Sequence, residues 1–131
     1  MKVCVETSFS AAHFIPGHRK CGRMHGHNYK VKTTIEGEVD EKTGMVVDFG
    51  KVKEVLRRFD HQTLNFEEEK GNKVKYYMAH KQKVLLCPTA ENLALYFLED
   101  LIKLGSFETV EVTIWETEDC SVTVKELGVK R

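Results

Sequence analysis

Hydrophobic and polar positions alternate over residues 2–9. Val3, Val5, Thr7 and Phe9 face one way, and Lys2, Cys4, Glu6 and Ser8 the other. A period of two is the pattern of a strand with one buried face. Residues 28–38 repeat it, with Tyr29, Val31, Thr33 and Ile35 on one side. The loop between these runs carries Pro16, Gly17, Gly22 and Gly26. With His13 at its edge, it holds four of the six histidines. Asp40 to Gly44 reads as a polar turn, and the short apolar run Met45 to Phe49 as a strand end. Val52, Val55, Leu56 and Phe59 then follow the i, i+3, i+4, i+7 spacing of an amphipathic helix, with Asp48 placed to cap it.

Residues 66–87 are mixed and include the charge run Glu67-Glu68-Glu69-Lys70, which reads as a solvated loop or a short extra element. Pro88-Thr89 opens a second helix. Thr89 is a good N-cap, and Glu91 lies near the positive end of the helix dipole. Leu93, Phe97, Leu98 and Leu101 form its buried stripe, and Gly105 stops it. Val110, Val112 and Ile114 alternate with Glu111, Thr113 and Trp115 as a third long strand. Val122, Val124 and Glu126 continue as a fourth. Strands at both ends with helices between predict an α+β fold, an antiparallel sheet with both helices on one face.

A length of 131 residues sets a single domain, 1–131. Hydrophobic residues at 41% and charged residues at 31% make a folding composition. Twenty Lys plus Arg balance twenty Asp plus Glu, which counts against nucleic-acid binding through bulk positive charge. No apolar run approaches the roughly 20 residues of a membrane span. Met1 to Glu6 has a charge inside its apolar stretch and does not read as a signal peptide. The four cysteines include no Cys-x-x-Cys pair and read as reduced thiols of a cytoplasmic protein.

The strongest chemical signal is His25-Gly26-His27. Two histidines at i and i+2 entering a strand project to one face. His13 ends the first strand, and pairing of the two strands would bring a third imidazole beside them. Three neutral imidazoles and an open position suit a catalytic Zn²⁺, with Cys21 or His18 as candidates for a fourth ligand. The competing reading is a coincidental surface pair. Cys21 sits in a Gly-, Lys-, Arg- and His-rich loop whose positive charge favours a thiolate, a nucleophile or general base. Cys4, Cys87 and Cys120 lack such a setting and read as structural. Asp60-His61 pairs a carboxylate with an imidazole it can orient, or is a plain surface pair. Glu116 ends an apolar strand, either exposed at a turn or as an acceptor for a ligand with two adjacent N–H donors. His80 reads as solvated.

Six ordered pieces carry a resemblance. They are Phe9-Ser10-Ala11-Ala12-His13, Cys21-Gly22-Arg23-Met24-His25-Gly26-His27-Asn28-Tyr29, Val47-Asp48-Phe49, Asp60-His61 with Leu64-Asn65, Pro88-Thr89-Ala90-Glu91-Asn92, and Trp115-Glu116-Thr117. Together they resemble the 6-pyruvoyl-tetrahydropterin synthase family, over nearly the whole chain. Within it they look most like the 6-carboxytetrahydropterin synthase branch of queuosine (7-deazaguanine) biosynthesis, because Cys21 precedes His25 by four positions. The pyruvoyl-forming enzymes carry a longer interval. The segment Phe66–Cys87 departs from the family by its length.

The resemblance implies the tunnelling fold, with subunits joined by their sheets into a barrel as a trimer or hexamer and active sites at the interfaces. It implies Zn²⁺ on His13, His25 and His27, Cys21 as proton acceptor, and His61 with Asp60 in a proton relay. Glu116 would anchor the pterin and join the relay, and Thr89 and Glu91 would lie near the ring. Arg19, Lys20 and Arg23 are candidates for the triphosphate. The implied reaction converts 7,8-dihydroneopterin triphosphate to 6-carboxy-5,6,7,8-tetrahydropterin, acetaldehyde and triphosphate. The alternatives are a pyruvoyl-forming or related pterin lyase in the same fold and, outside the enzymes, a non-catalytic zinc-stabilised oligomeric module.

Overall fold

A computed structural model describes residues 1–70, 73–77 and 88–129, with the backbone alone for 66–70, 73–77 and 129. The two alternating runs become long paired strands, β1 (Lys2–His13) and β2 (His25–Glu36). Both extend past their hydrophobic alternation, because the ladder runs from Lys2–Glu36 to His13–His25 without a break. The later strands are β6 (Phe107–Thr117) and β7 (Cys120–Val129). With a two-residue β3 (Gln62–Thr63) they form one five-stranded sheet in the order β3-β1-β2-β6-β7. All pairings in it are antiparallel except β3 on β1.

The buried face of the sheet is the expected one. Val5 and Phe9 of β1, Tyr29, Val31, Thr33 and Ile35 of β2, and Val110, Val112 and Ile114 of β6 are buried. Helices α1 (Phe49–Leu56) and α2 (Ala90–Ile102) cover that face, α1 against β1 and α2 against β6 and β7. Phe9 stacks on Tyr29 at 5.0 Å between centroids and meets the edge of Phe97 from α2. Both caps form as expected: Asp48 Oδ1 accepts from Gly50 N, and Thr89 Oγ1 from Asn92 N.

Three expectations need correction. Met45–Phe49 forms no strand. Asp40 N donates to Met45 O to close a turn, and the Asp48 cap then directs the chain into α1. The first helix ends at Leu56, and Phe59 reaches the core from the turn that follows. Cys4 and Cys120 are exposed, so they are not small core hydrophobes. The mixed segment after Asn65 forms the short extra element offered as one of its two readings, a pair of strands, β4 (Phe66–Lys70) with β5 (Lys73–Tyr77). His80 and Cys87 lie outside the described residues. Among the described residues, no helix is long and apolar enough to cross a membrane.

Leu93 is fully buried in the α2 stripe, one turn into the helix. Leu93→Ala is expected to cost about 2–5 kcal/mol through lost transfer energy and a residual cavity. Urea unfolding checks it as a lower midpoint with unchanged slope. A loss under about 1 kcal/mol would contradict this packing.

Candidate metal centre and active site

The β1–β2 register builds the centre. His13 stands opposite His25, and Ala11 opposite His27, so His27 is diagonal to His13. All three histidines lie on the face that carries Phe9 and Tyr29, because alternate residues of a strand share a face. His13 is fully buried, and His25 and His27 are half-buried. One ligand atom from each lies within 4.8 Å of the others, and the rings meet edge to face.

Hydrogen bonds assign the tautomers. His13 Nδ1 is 2.7 Å from Pro88 O, and His25 Nδ1 is 2.7 Å from Arg23 O. A carbonyl only accepts, so each Nδ1 carries the proton and each Nε2 is bare. Tyr29 Oη also lies 3.3 Å from His13 Nδ1. The two bare Nε2 atoms stand 3.0 Å apart. His27 Nε2 is buried with no hydrogen-bond partner, although Glu116 Oε1 is 3.4 Å away. Burial, above all, holds His13 and His27 below the ordinary imidazole range and keeps them neutral. Converging neutral imidazoles with facing lone pairs and fixed outer N–H groups are what a borderline divalent metal requires, and the donor set fits zinc.

Neither Cys21 nor His18 joins this cluster. His18 Nδ1 instead accepts from Cys21 N at 3.0 Å, and Cys21 O accepts from Ile15 N. The loop turns at Gly22, where a Cβ would collide with the His18 carbonyl oxygen. Cys21 is a half-exposed free thiol, and Arg19, Lys20 and Arg23 are exposed around it.

Asp60 and His61 do pair, with Asp60 Oδ1 3.1 Å from His61 Nδ1. Ser10 N donates to the same oxygen, and Arg57 holds Oδ2 at 2.8 Å. The Ser10 N–H, above all, holds the Asp60 carboxyl below its ordinary value. His61 has φ +60 and donates its backbone N–H to Ser10 O, which fixes the turn against β1. Its ring is exposed and does not join the three-histidine cluster. A depression lined by Gly26, His27, Asn28, His61 and Thr63 runs between the two groups.

Glu116 is half-exposed, with Oε1 3.3 Å from His13 Nε2, so it faces the cluster and is not turned away to solvent. Thr89 spends its hydroxyl on the α2 cap, and Glu91 is exposed in the first turn. Pro88, next to Thr89, touches His13, so the start of α2 abuts the histidines. Two residues named in the sequence reading only as parts of motifs support the site. Pro88 acts through its carbonyl, which no side-chain pattern signals. Asn65 is buried and bonds both Phe14 N and Phe14 O through its amide, holding the chain just beyond His13. A lone amide after an apolar residue is a weak signal for that role.

Residues 2–127 match the family described as 6-pyruvoyl tetrahydropterin synthase. A protein of Archaeoglobus fulgidus, provisionally named 6-carboxy-5,6,7,8-tetrahydropterin synthase, is 41% identical over 91% of this chain and 90% of its own. The 6-carboxy-5,6,7,8-tetrahydropterin synthase of Rickettsia typhi is 33% identical over 88% of this chain and 94% of its own. The solved structure of Caenorhabditis elegans 6-pyruvoyl tetrahydropterin synthase superposes with a TM-score of 0.66 at 29% identity, over 96% of this chain and 95% of that one. A match along nearly the whole chain, on a sheet that carries the histidines in register, places this protein in the 6-pyruvoyl tetrahydropterin synthase family.

Proposed function

We propose that this chain is a zinc-dependent carbon–carbon lyase. It takes 7,8-dihydroneopterin triphosphate and water to 6-carboxy-5,6,7,8-tetrahydropterin, acetaldehyde and triphosphate, in the cytoplasmic supply of 7-deazaguanine. The observation that carries the metal part is the convergence of His13, His25 and His27, with bare Nε2 atoms on His13 and His25 and a buried, unpartnered Nε2 on His27. The names of the Archaeoglobus and Rickettsia relatives and the Cys-x-x-x-His-Gly-His interval favour the carboxy-forming reaction.

Zinc held by the three histidines supplies Lewis acidity to the vicinal side-chain hydroxyls of the substrate. Cys21 takes the carbon-bound or hydroxyl proton as thiolate, helped by the positive loop around it. His61 returns a proton, and Asp60 orients its ring through Nδ1. Glu116 accepts two parallel hydrogen bonds from the pterin N–H and amino groups and fixes the ring. Thr89 and Glu91 border the ring at the start of α2. Arg19, Lys20 and Arg23 meet the triphosphate. Neither Cys21 nor His61 belongs to the cluster of candidate metal ligands, and membership of the family supports a homo-oligomer, trimer or hexamer, whose neighbouring subunits complete each site.

The pyruvoyl-forming reaction is the second reading, favoured by the fold match to the Caenorhabditis enzyme. Incubation of zinc-loaded protein with dihydroneopterin triphosphate, followed by mass spectrometry, separates the two. Carboxytetrahydropterin with acetaldehyde is the expected outcome, and pyruvoyl-tetrahydropterin would overturn it.

Cys21→Ala is expected to keep its zinc and lose turnover by about 10²–10⁴-fold, the usual weight of a positioned acid or base. Steady-state rates together with metal analysis check this. Unchanged turnover would remove Cys21 from the mechanism.

A further inference from the structure

A β-bulge aims a second kind of donor at the three histidines. β6 pairs with β7 in regular register as far as Trp115–Ser121 and then slips, so that Thr117 faces Cys120 and Glu116 is the extra residue. An extra residue of this kind bends its strand and re-aims its side chain. Glu116 Oε1 lies 3.3 Å from His13 Nε2 and 3.4 Å from His27 Nε2.

Neither approach is an ordinary hydrogen bond. His13 has committed its Nδ1–H to Pro88 O and presents a bare Nε2. His27 Nε2 has no hydrogen-bond partner. A carboxylate oxygen offers only lone pairs. Acceptors facing one another at this range, as His13 Nε2 and Glu116 Oε1 do, repel unless a cation stands among them. The reach of Glu116 to the two nitrogens is that of a coordination shell. Around tetrahedral zinc with bonds of about 2.0–2.1 Å, neighbouring donor atoms stand about 3.3–3.4 Å apart. The two Glu116 distances match that edge, and the His13–His25 nitrogens, at 3.0 Å, come close to it.

We propose that Glu116 is a metal ligand in the absence of substrate, closing a shell of three nitrogens and one oxygen. The inference rests on the metal reading above and deepens it. The same carboxylate then has two partners that exclude each other, the metal and the pterin N–H groups. Gripping the pterin therefore frees a coordination position for the substrate hydroxyls. The resting centre is closed, and the substrate opens it.

Cobalt(II) titration of metal-free full-length protein, read by visible absorption, tests this without any turnover. Glu116→Gln is expected to bind cobalt at least about 10–100-fold more weakly, the loss already found on removing mere outer-shell partners, and to change the band shape. Glu116→Asp, which keeps a carboxylate on a shorter arm, is expected to recover part of the affinity. It carries the comparison if circular dichroism shows Glu116→Gln unfolded. Pterin added to the cobalt-loaded wild type is expected to shift its bands and to leave those of Glu116→Gln unchanged. Equal affinities and identical spectra in wild type and Glu116→Gln would overturn the ligand role and leave the three-histidine centre standing. No cobalt uptake by the wild type would overturn both.

Discussion

The candidate site depends on one constraint, the pairing of β1 with β2 in a single register. A slip by one residue would turn every side chain of a strand to the opposite face. Here that slip would separate His13 from His25 and His27 and send part of the set to solvent. Packing enforces the register: Val5 and Phe9 on one strand and Tyr29, Val31 and Ile35 on the other are buried under the helices only in this alignment. The core therefore sets the geometry of the centre. The Phe9–Tyr29 stack couples the two directly, since Tyr29 Oη lies beside His13 Nδ1.

The sheet carries its chemistry where its regularity ends. His13 and His25 close the β1–β2 ladder, and Glu116 interrupts β6 at a bulge. His61 adopts a left-handed backbone in a turn tied to the edge of β1 through Ser10 and Ala12. Interrupted pairing leaves polar side chains free to converge, whereas the middle of the sheet is committed to apolar packing. Buried imidazoles with bare nitrogens are costly unless something positive meets them. The fold accepts that cost by fixing the outer N–H of His13 on Pro88 and that of His25 on Arg23. This arrangement makes sense for a centre that meets a metal.

Much of this was legible in the sequence, for identifiable reasons. Alternation revealed the inner faces of β1, β2 and β6, and i, i+3, i+4 spacing with Asp48 and Thr89 revealed both helices and their starts. Residues 10–13 and 25–27 lack alternation, so the pattern placed His13 at the end of one strand and His25 and His27 at the entry to its partner, but not the exact His13–His25 register. Met45–Phe49 misled because five apolar residues fit a strand as well as the approach to a capped helix. Backbone contributions, such as the Pro88 carbonyl, the bulge at Glu116 and the φ of His61, leave no trace in residue type. The three histidines were found because i, i+2 spacing has a direct geometric meaning. Cys21 and His18, offered as further ligands on proximity in sequence alone, bond to each other instead.

The central claim is that the β1–β2 ladder presents a nitrogen- and oxygen-only metal centre. X-ray absorption at the zinc edge of the purified, zinc-replete protein tests it most directly. The account predicts a first shell of nitrogen and oxygen at about 2.0–2.1 Å with the outer-shell scattering of imidazole rings. A sulfur shell at about 2.3 Å would put Cys21 on the metal and contradict this account of the site.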